Sequence, residues 1–173
     1  MNEPALRLFF ALWPDAATRA ALDQVGAGLH ARWGGRRMQH DALHMTLAFL
    51  GDTPLKRLDA LRGLAAKMTG EAFTLKLDRP GCWQHNRVGW LGLATTPLAL
   101  TQLVTDLRRM LHANKFTVDD QRYVPHVSLL RNAHCAPPPP CQPVTWHAQN
   151  FVLLASHKQP HGYEVLGTWS LSA

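Results

Sequence analysis

Cysteine is scarce in this 173-residue chain, which holds only Cys82, Cys135 and Cys141. Three thiols cannot all pair within one chain, and none stands in a Cys-x-x-Cys arrangement, so no disulfide scaffold is expected. Long apolar runs are missing as well. The longest early one, residues 8–13, is far short of the roughly 20 residues a membrane helix needs. Glu3 and Arg7 precede it, Pro14 and Asp15 follow it, and no small-residue cleavage pattern ends it. The expectation is a cytoplasmic protein that neither spans a membrane nor is exported. Glycine-rich phosphate loops followed by Lys and Ser or Thr are absent, as is the dinucleotide fingerprint, so ATP and NAD are not implied.

What remains is an ordinary globular balance, 46% apolar and 17% charged, of a length that suits one domain spanning residues 1–173. The net charge of +6 favours an anionic partner such as nucleic acid or a nucleotide. Its cations are scattered through Arg32, Arg36, Arg37, Lys56, Arg57, Arg108, Arg109, Lys115, Arg122 and Arg131, with no run of five. That scatter suits a basic groove rather than a basic tail.

Residues 6–13 are short, aromatic-rich and stopped by Pro14, which predicts a strand buried on both faces. Pro14 and Asp15 suit the first turn of a helix carrying Ala17, Ala21, Leu22, Val25 and Leu29 at helical spacing until Gly34 and Gly35. A strand over 43–50 and a helix from about Pro54 to Gly70 follow. Residues 73–77 and 88–93 read as a hairpin across the Pro80-Gly81 turn signal. Leu100, Leu103, Val104, Leu107 and Leu111 mark another helix. Further strands are predicted over 124–130, 146–155 and 163–171, with Pro137 to Pro140 as an extended loop. Helices do not alternate regularly with strands, so the order supports an α+β fold with largely antiparallel sheets, and it loosely suggests two similar halves.

Two strands share a short phrase. His44-Met45-Thr46-Leu47 and His126-Val127-Ser128-Leu129 each write His-x-hydroxyl-x. Period two sends His44 and Thr46 to one face, and His126 and Ser128 likewise, while the apolar neighbours anchor the other face. Two imidazoles near neutral pKa can divide acid and base roles on a phosphodiester, and hydroxyls with a nearby cation such as Arg131 can hold the phosphate oxygens. A metal is then not needed.

These paired motifs, with Arg7-Leu8-Phe9-Phe10-Ala11 and Pro125-His126-Val127-Ser128-Leu129-Leu130-Arg131, resemble the 2H phosphoesterase superfamily, and within it the bacterial RNA 2′,3′-cyclic phosphodiesterase (2′-5′ RNA ligase) branch. The likeness runs nearly end to end and includes the region of Trp83 and Trp90. It implies a bilobal fold whose motif strands face across a central groove. It also implies metal-independent opening of terminal 2′,3′-cyclic phosphates on RNA to 2′-phosphates, and ATP-independent 2′-5′ ligation to a 5′-hydroxyl as related chemistry. By the same likeness His44 is the general acid toward the 3′-oxygen, His126 the base that activates water, and Thr46 and Ser128 hold the phosphate. Ser128 replaces the threonine common in the second motif. Gln121 and Arg122 stand where the family often has a basic residue two positions before the aromatic.

Arg131 matches the family pattern as a phosphate contact, although its odd spacing from His126 puts it on the opposite face of a regular strand. Tyr123 is a candidate for stacking on a base, against an ordinary core role. Phe10 and Trp13 are expected in the core. His40 with His44 would form a metal pair only on a helix, which the β-like run opposes. His134, Cys135, Cys141 and His147 match no common zinc spacing. Two other readings stay open: an RNA-end-binding module without turnover, and a phosphodiesterase acting on linear 2′-5′ linkages or small cyclic nucleotides. A monomer is the simplest assumption.

Overall fold

The opening apolar run forms β1, Ala5–Leu12, inside a four-stranded sheet. In the computed structural model, which describes residues 3–158 and 161–173, Leu8, Phe10 and Leu12 enter the main core. Phe9 and Ala11 face the other way, into a small apolar cluster with Val152 and Leu154. The strand is therefore buried on both faces from Leu8 onward, as its composition predicts.

Asp15 begins α1, Ala16–Trp33, by accepting a hydrogen bond from the Thr18 amide at 2.7 Å, which also holds the Asp15 carboxyl below its ordinary range. Gly34 and Gly35, at φ 60 and 79, turn the chain out of the helix. The remaining elements, apart from short 3-10 turns, are β2 Arg36–Arg37, β3 Met45–Pro54, α2 Leu58–Ala65, β4 Phe73–Leu77, β5 Arg79–Trp83, β6 Val88–Gly92, α3 Leu98–Ala113, β7 His126–Arg131, β8 Val144–Ala148, β9 Asn150–Lys158 and β10 His161–Ser170.

The strands make sheets of order β10-β9-β1-β3 and β2-β7-β6-β5 and a ribbon β4-β8, with every one of these pairings antiparallel. The α+β class expected from the sequence is the observed one. Helix α1 leaves the first sheet from β1 yet packs on β7 and β8, and α3 leaves the second sheet from β6 yet packs on β3. This exchange ties the two motif strands to one shared core. Among the described residues no helix is long and apolar enough to cross a membrane.

Several expectations are corrected. Residues 73–77 and 88–93 do not form a hairpin: β4 pairs with β8, and β6 pairs with β5, which contains the Pro80-Gly81 pair read as a turn. Edge position makes this possible, because a proline on an outer strand forfeits no ladder bond. Gly81 is required there by the Trp90 indole lying across it, where a Cβ would collide with the ring. The reversal falls at residues 84–87, with Arg87 at φ 56. Residues 146–155 are two strands, since the alternating burial of β8 gives way after Gln149 to a β9 buried on both faces. Strand β3 runs on to Pro54, so α2 starts only at Leu58 and stops at Ala65. Cys82 and Cys135 form a disulfide, because sheet pairing brings together positions separated by 53 residues that local spacing could not connect. Cys141 stays free.

Gly35 sits where a Cβ would lie 2.5 Å from the Arg131 carbonyl oxygen, in a left-handed backbone. Gly35→Ala is expected to destabilise the fold by about 2 kcal/mol or more, read as a lowered urea midpoint. An unchanged midpoint would show that β2 yields freely.

Candidate functional site

His44 stands immediately before β3 and His126 opens β7. Each ring places Nδ1 2.7 Å from the carbonyl oxygen two residues earlier, of Ala42 and of Val124 respectively. A carbonyl can only accept, so each Nδ1 carries the hydrogen and donates it, and in the neutral ring Nε2 is the free base. His44 Nε2 lies 3.1 Å from the Thr46 hydroxyl oxygen. The repeated phrase in the sequence thus writes the same tautomer twice.

Both motif strands then break their alternation. Strand β3 carries an extra residue, Leu47, opposite Phe10 and Ala11, and β7 carries an extra residue, Leu129, opposite Gly89 and Trp90. A bulge of one residue reverses the faces beyond it. Phe49, three past Thr46, and Arg131, three past Ser128, therefore line the same groove as the hydroxyls. The odd spacing of Arg131 from His126 counts against it only in a regular strand. Consecutive buried residues Leu129 and Leu130 mark where the strand departs from regularity.

The groove encloses about 450 Å³ between the two sheets and gathers His44, Thr46, His126, Ser128 and Arg131, with Arg7 as a second cation. Aromatic rings back both imidazoles. Phe9 and Tyr163 each lie 5.1 Å from His44, with Trp13 nearly parallel to it at 6.3 Å, and Trp83 and Trp90 lie 4.6 and 6.4 Å from His126. Burial among them pushes His44 down to about 4, helped by the like charges of His126, Arg19 and Arg131 and opposed by the bond to Ala42. Burial also lowers His126.

Arg19 is the residue the sequence reading passed over. Buried in α1, it donates to the carbonyls of His40 at 2.8 Å, Leu43 at 3.1 Å and Pro14 at 3.4 Å, and its guanidinium stacks 4.6 Å over Trp13. It thereby fixes the segment that delivers His44. The signal was present: Arg19 lies one turn before Leu22 on the apolar stripe of α1, where a solvated arginine has no place. Trp13, expected in the core, is only half-buried and sits between Arg19 and His44. Phe10 is fully buried, as expected. Tyr123 donates its hydroxyl to the Thr46 carbonyl at 3.0 Å, linking the approach to the second motif with the first, and burial raises its phenol pKa.

Neither metal grouping weighed in the sequence assembles. His40 lies in a 3-10 turn with its Nδ1 3.8 Å from Asp23, Cys135 is bonded to Cys82, and His147 shares a hydrogen bond with Thr74. Among the described residues no cluster of three or more potential metal ligands occurs.

A sequence profile described as the 2′-5′ RNA ligase superfamily matches residues 12–157. The chain belongs to that superfamily. Over 99% of both chains it is 35% identical to the RNA 2′,3′-cyclic phosphodiesterase of Escherichia coli K12. A protein of the same name from Thermus thermophilus is 27% identical, with 96% of this chain and 90% of that protein covered. The crystal structure of E. coli LigT complexed with 3′-AMP superimposes with a TM-score of 0.89 at 33% identity, covering 98% of this chain and all of that one. The resemblance to 2H phosphoesterases carried by the two motifs therefore holds for the chain as a whole.

In this superfamily member the unfolded chain binds a proton at His44 near 6.5, whereas the fold binds it near 4. The unfolded state holds more protons between those values, so this contribution to stability is present above pH 6.5 and is lost as pH falls toward 4. His44→Gln, which cannot titrate, is expected to flatten the drop in urea midpoint between pH 7 and pH 4.5. An equally steep drop in the variant would contradict the burial of a neutral imidazole.

Proposed function

We propose that this chain opens terminal 2′,3′-cyclic phosphates of RNA to 2′-phosphates, with residues 1–173 acting as one bilobal unit. One observation carries the reading: two imidazoles in matched settings leave Nε2 as their free nitrogen in one groove with two hydroxyls and an arginine. Support comes from the curated relatives, both of which bear the name RNA 2′,3′-cyclic phosphodiesterase. A cytoplasmic monomer, expected from the sequence, belongs to the same proposal.

In the step proposed, His126 Nε2 takes a proton from water as the water oxygen attacks phosphorus. The bond from phosphorus to O3′ breaks, and imidazolium His44 gives its Nε2 proton to O3′. The product carries a 2′-phosphate and a free 3′-hydroxyl, and the rings then exchange protons with solvent. Thr46 and Ser128 donate to the nonbridging oxygens, while Arg131 offsets the charge gathering on them. Nothing in the step needs the attacking oxygen to be water. A 5′-hydroxyl in its place yields a 2′-5′ linkage without ATP.

Phosphorus NMR of a cyclic-ended RNA incubated with the protein in EDTA is expected to show a 2′-phosphate, with turnover falling by about 10²–10⁴-fold in His44→Ala and His126→Ala. The profile of kcat/KM is expected to be bell-shaped with its maximum below pH 6.5, because both free rings titrate there. A bound phosphate anion favours imidazolium, so the kcat profile should lie at higher pH. A 3′-phosphate product, a divalent-ion requirement, or either variant at wild-type rate would overturn the assignment.

A further inference from the structure

The catalytic groove does not end at His126. A second recess of about 380 Å³ shares Thr46, Phe49, Trp83, Asn86 and His126 with it and continues to His85, Arg108, Arg122 and Tyr123. That volume falls within the range of ligand pockets, about 300–1,000 Å³. The proton transfers assigned above use none of His85, Arg108 or Arg122, so the end of the recess beyond His126 has no part in them.

Its walls have the chemistry of a nucleotide site. Half-buried Trp83 sets its ring against His126 at 4.6 Å and has the exposed ring of His85 beside it at 6.4 Å with a tilt of 35°. This makes an aromatic platform open to solvent on the recess side. In the same recess, the Arg108 guanidinium lies 5.6 Å over Tyr123 and donates to the Gln121 carbonyl at 3.0 Å. Its Nε is buried with no partner among the described residues. Arg122, exposed, lines the same recess. Asp119 is the one carboxylate among the lining residues, and one of its oxygens accepts from the Gln121 amide. Aromatic faces with cations alongside are how single-stranded RNA is held, the bases stacking and the phosphates meeting arginine.

We propose that this recess is a subsite for the second nucleotide of the RNA, the one on the 5′ side of the cyclic end. Its base stacks on Trp83 and His85, and its phosphodiester meets Arg108 and Arg122. The proposal rests on the phosphodiesterase reading and adds that the enzyme measures at least two nucleotides, so a cyclic mononucleotide forfeits part of the binding.

Rates are to be compared on uridine 2′,3′-cyclic phosphate and on the cyclic-ended dinucleotide UpU. The wild type is expected to show a kcat/KM at least about fivefold higher for the dinucleotide, a lower bound for one stacked base. In Arg122→Ala and His85→Ala that advantage should shrink to within about twofold while mononucleotide turnover stays unchanged. Equal values for the two substrates in wild type, or variants that slow both alike, would overturn the subsite. A calorimetric arm needs no turnover: the dinucleotide bearing a terminal 2′-phosphate should bind at least about fivefold tighter than uridine 2′-phosphate, and Arg122→Ala should abolish the difference. If neither cyclic substrate is cleaved but the affinities follow this pattern, the hydrolytic reading fails and the subsite stands. Equal affinities refute the subsite whatever the turnover.

Discussion

One short hydrogen bond, from the Nδ1–H of a histidine to the carbonyl two residues before it, is made once at His44 and once at His126. It selects the tautomer, sets the ring plane, and leaves Nε2 free to give or take a proton. Much of the fold serves to hold the two carbonyls and the two rings in that relation. Arg19 grips the backbone on either side of Ala42, and the Thr46 hydroxyl meets the freed Nε2 of His44. The aromatic walls remove water, and so keep each ring neutral until an anion arrives to favour its charged form. The charge of buried Arg19 next to His44 acts in the same direction. The site is therefore poised for an anionic ligand and costly to protonate without one.

Relative placement of the two rings comes from the crossing of helices. Because α1 packs under the second motif strand and α3 under the first, neither sheet can shift without disturbing the core beneath the other. Tyr123 adds a direct link, spending its hydroxyl on the backbone of Thr46. These restraints hold two sheets that are not hydrogen-bonded to each other in a fixed relation across the groove.

The motif residues were legible because strand chemistry is local: two His-x-hydroxyl-x phrases declare their faces by period two alone. Arg131 was legible from its likeness to the family and obscured by that same period, since the bulge at Leu129 is a property of pairing with β6, and the adjacent apolar pair Leu129-Leu130 does not by itself declare it. Pairing also hid the disulfide and the partner of β4, as residues distant in the chain decide both. Pro80-Gly81 misled for a related reason. Its turn chemistry is overridden by an edge position and by an indole from the neighbouring strand. Arg19 was readable in principle, as a cation on an apolar helix stripe, but its acceptors are carbonyls, which every residue carries and no sequence distinguishes.

The central claim is that both rings rest neutral with the proton on Nδ1 and that a phosphate bound between them charges one. Nitrogen-15 NMR of the histidine-labelled protein at pH 7, alone and with uridine 2′-phosphate, tests it directly. The account predicts two neutral Nδ1–H rings for His44 and His126 in the free protein and an imidazolium signal from one of them in the complex. A free-state Nε2–H tautomer at either position, or two rings that stay neutral with the phosphate bound, would contradict it.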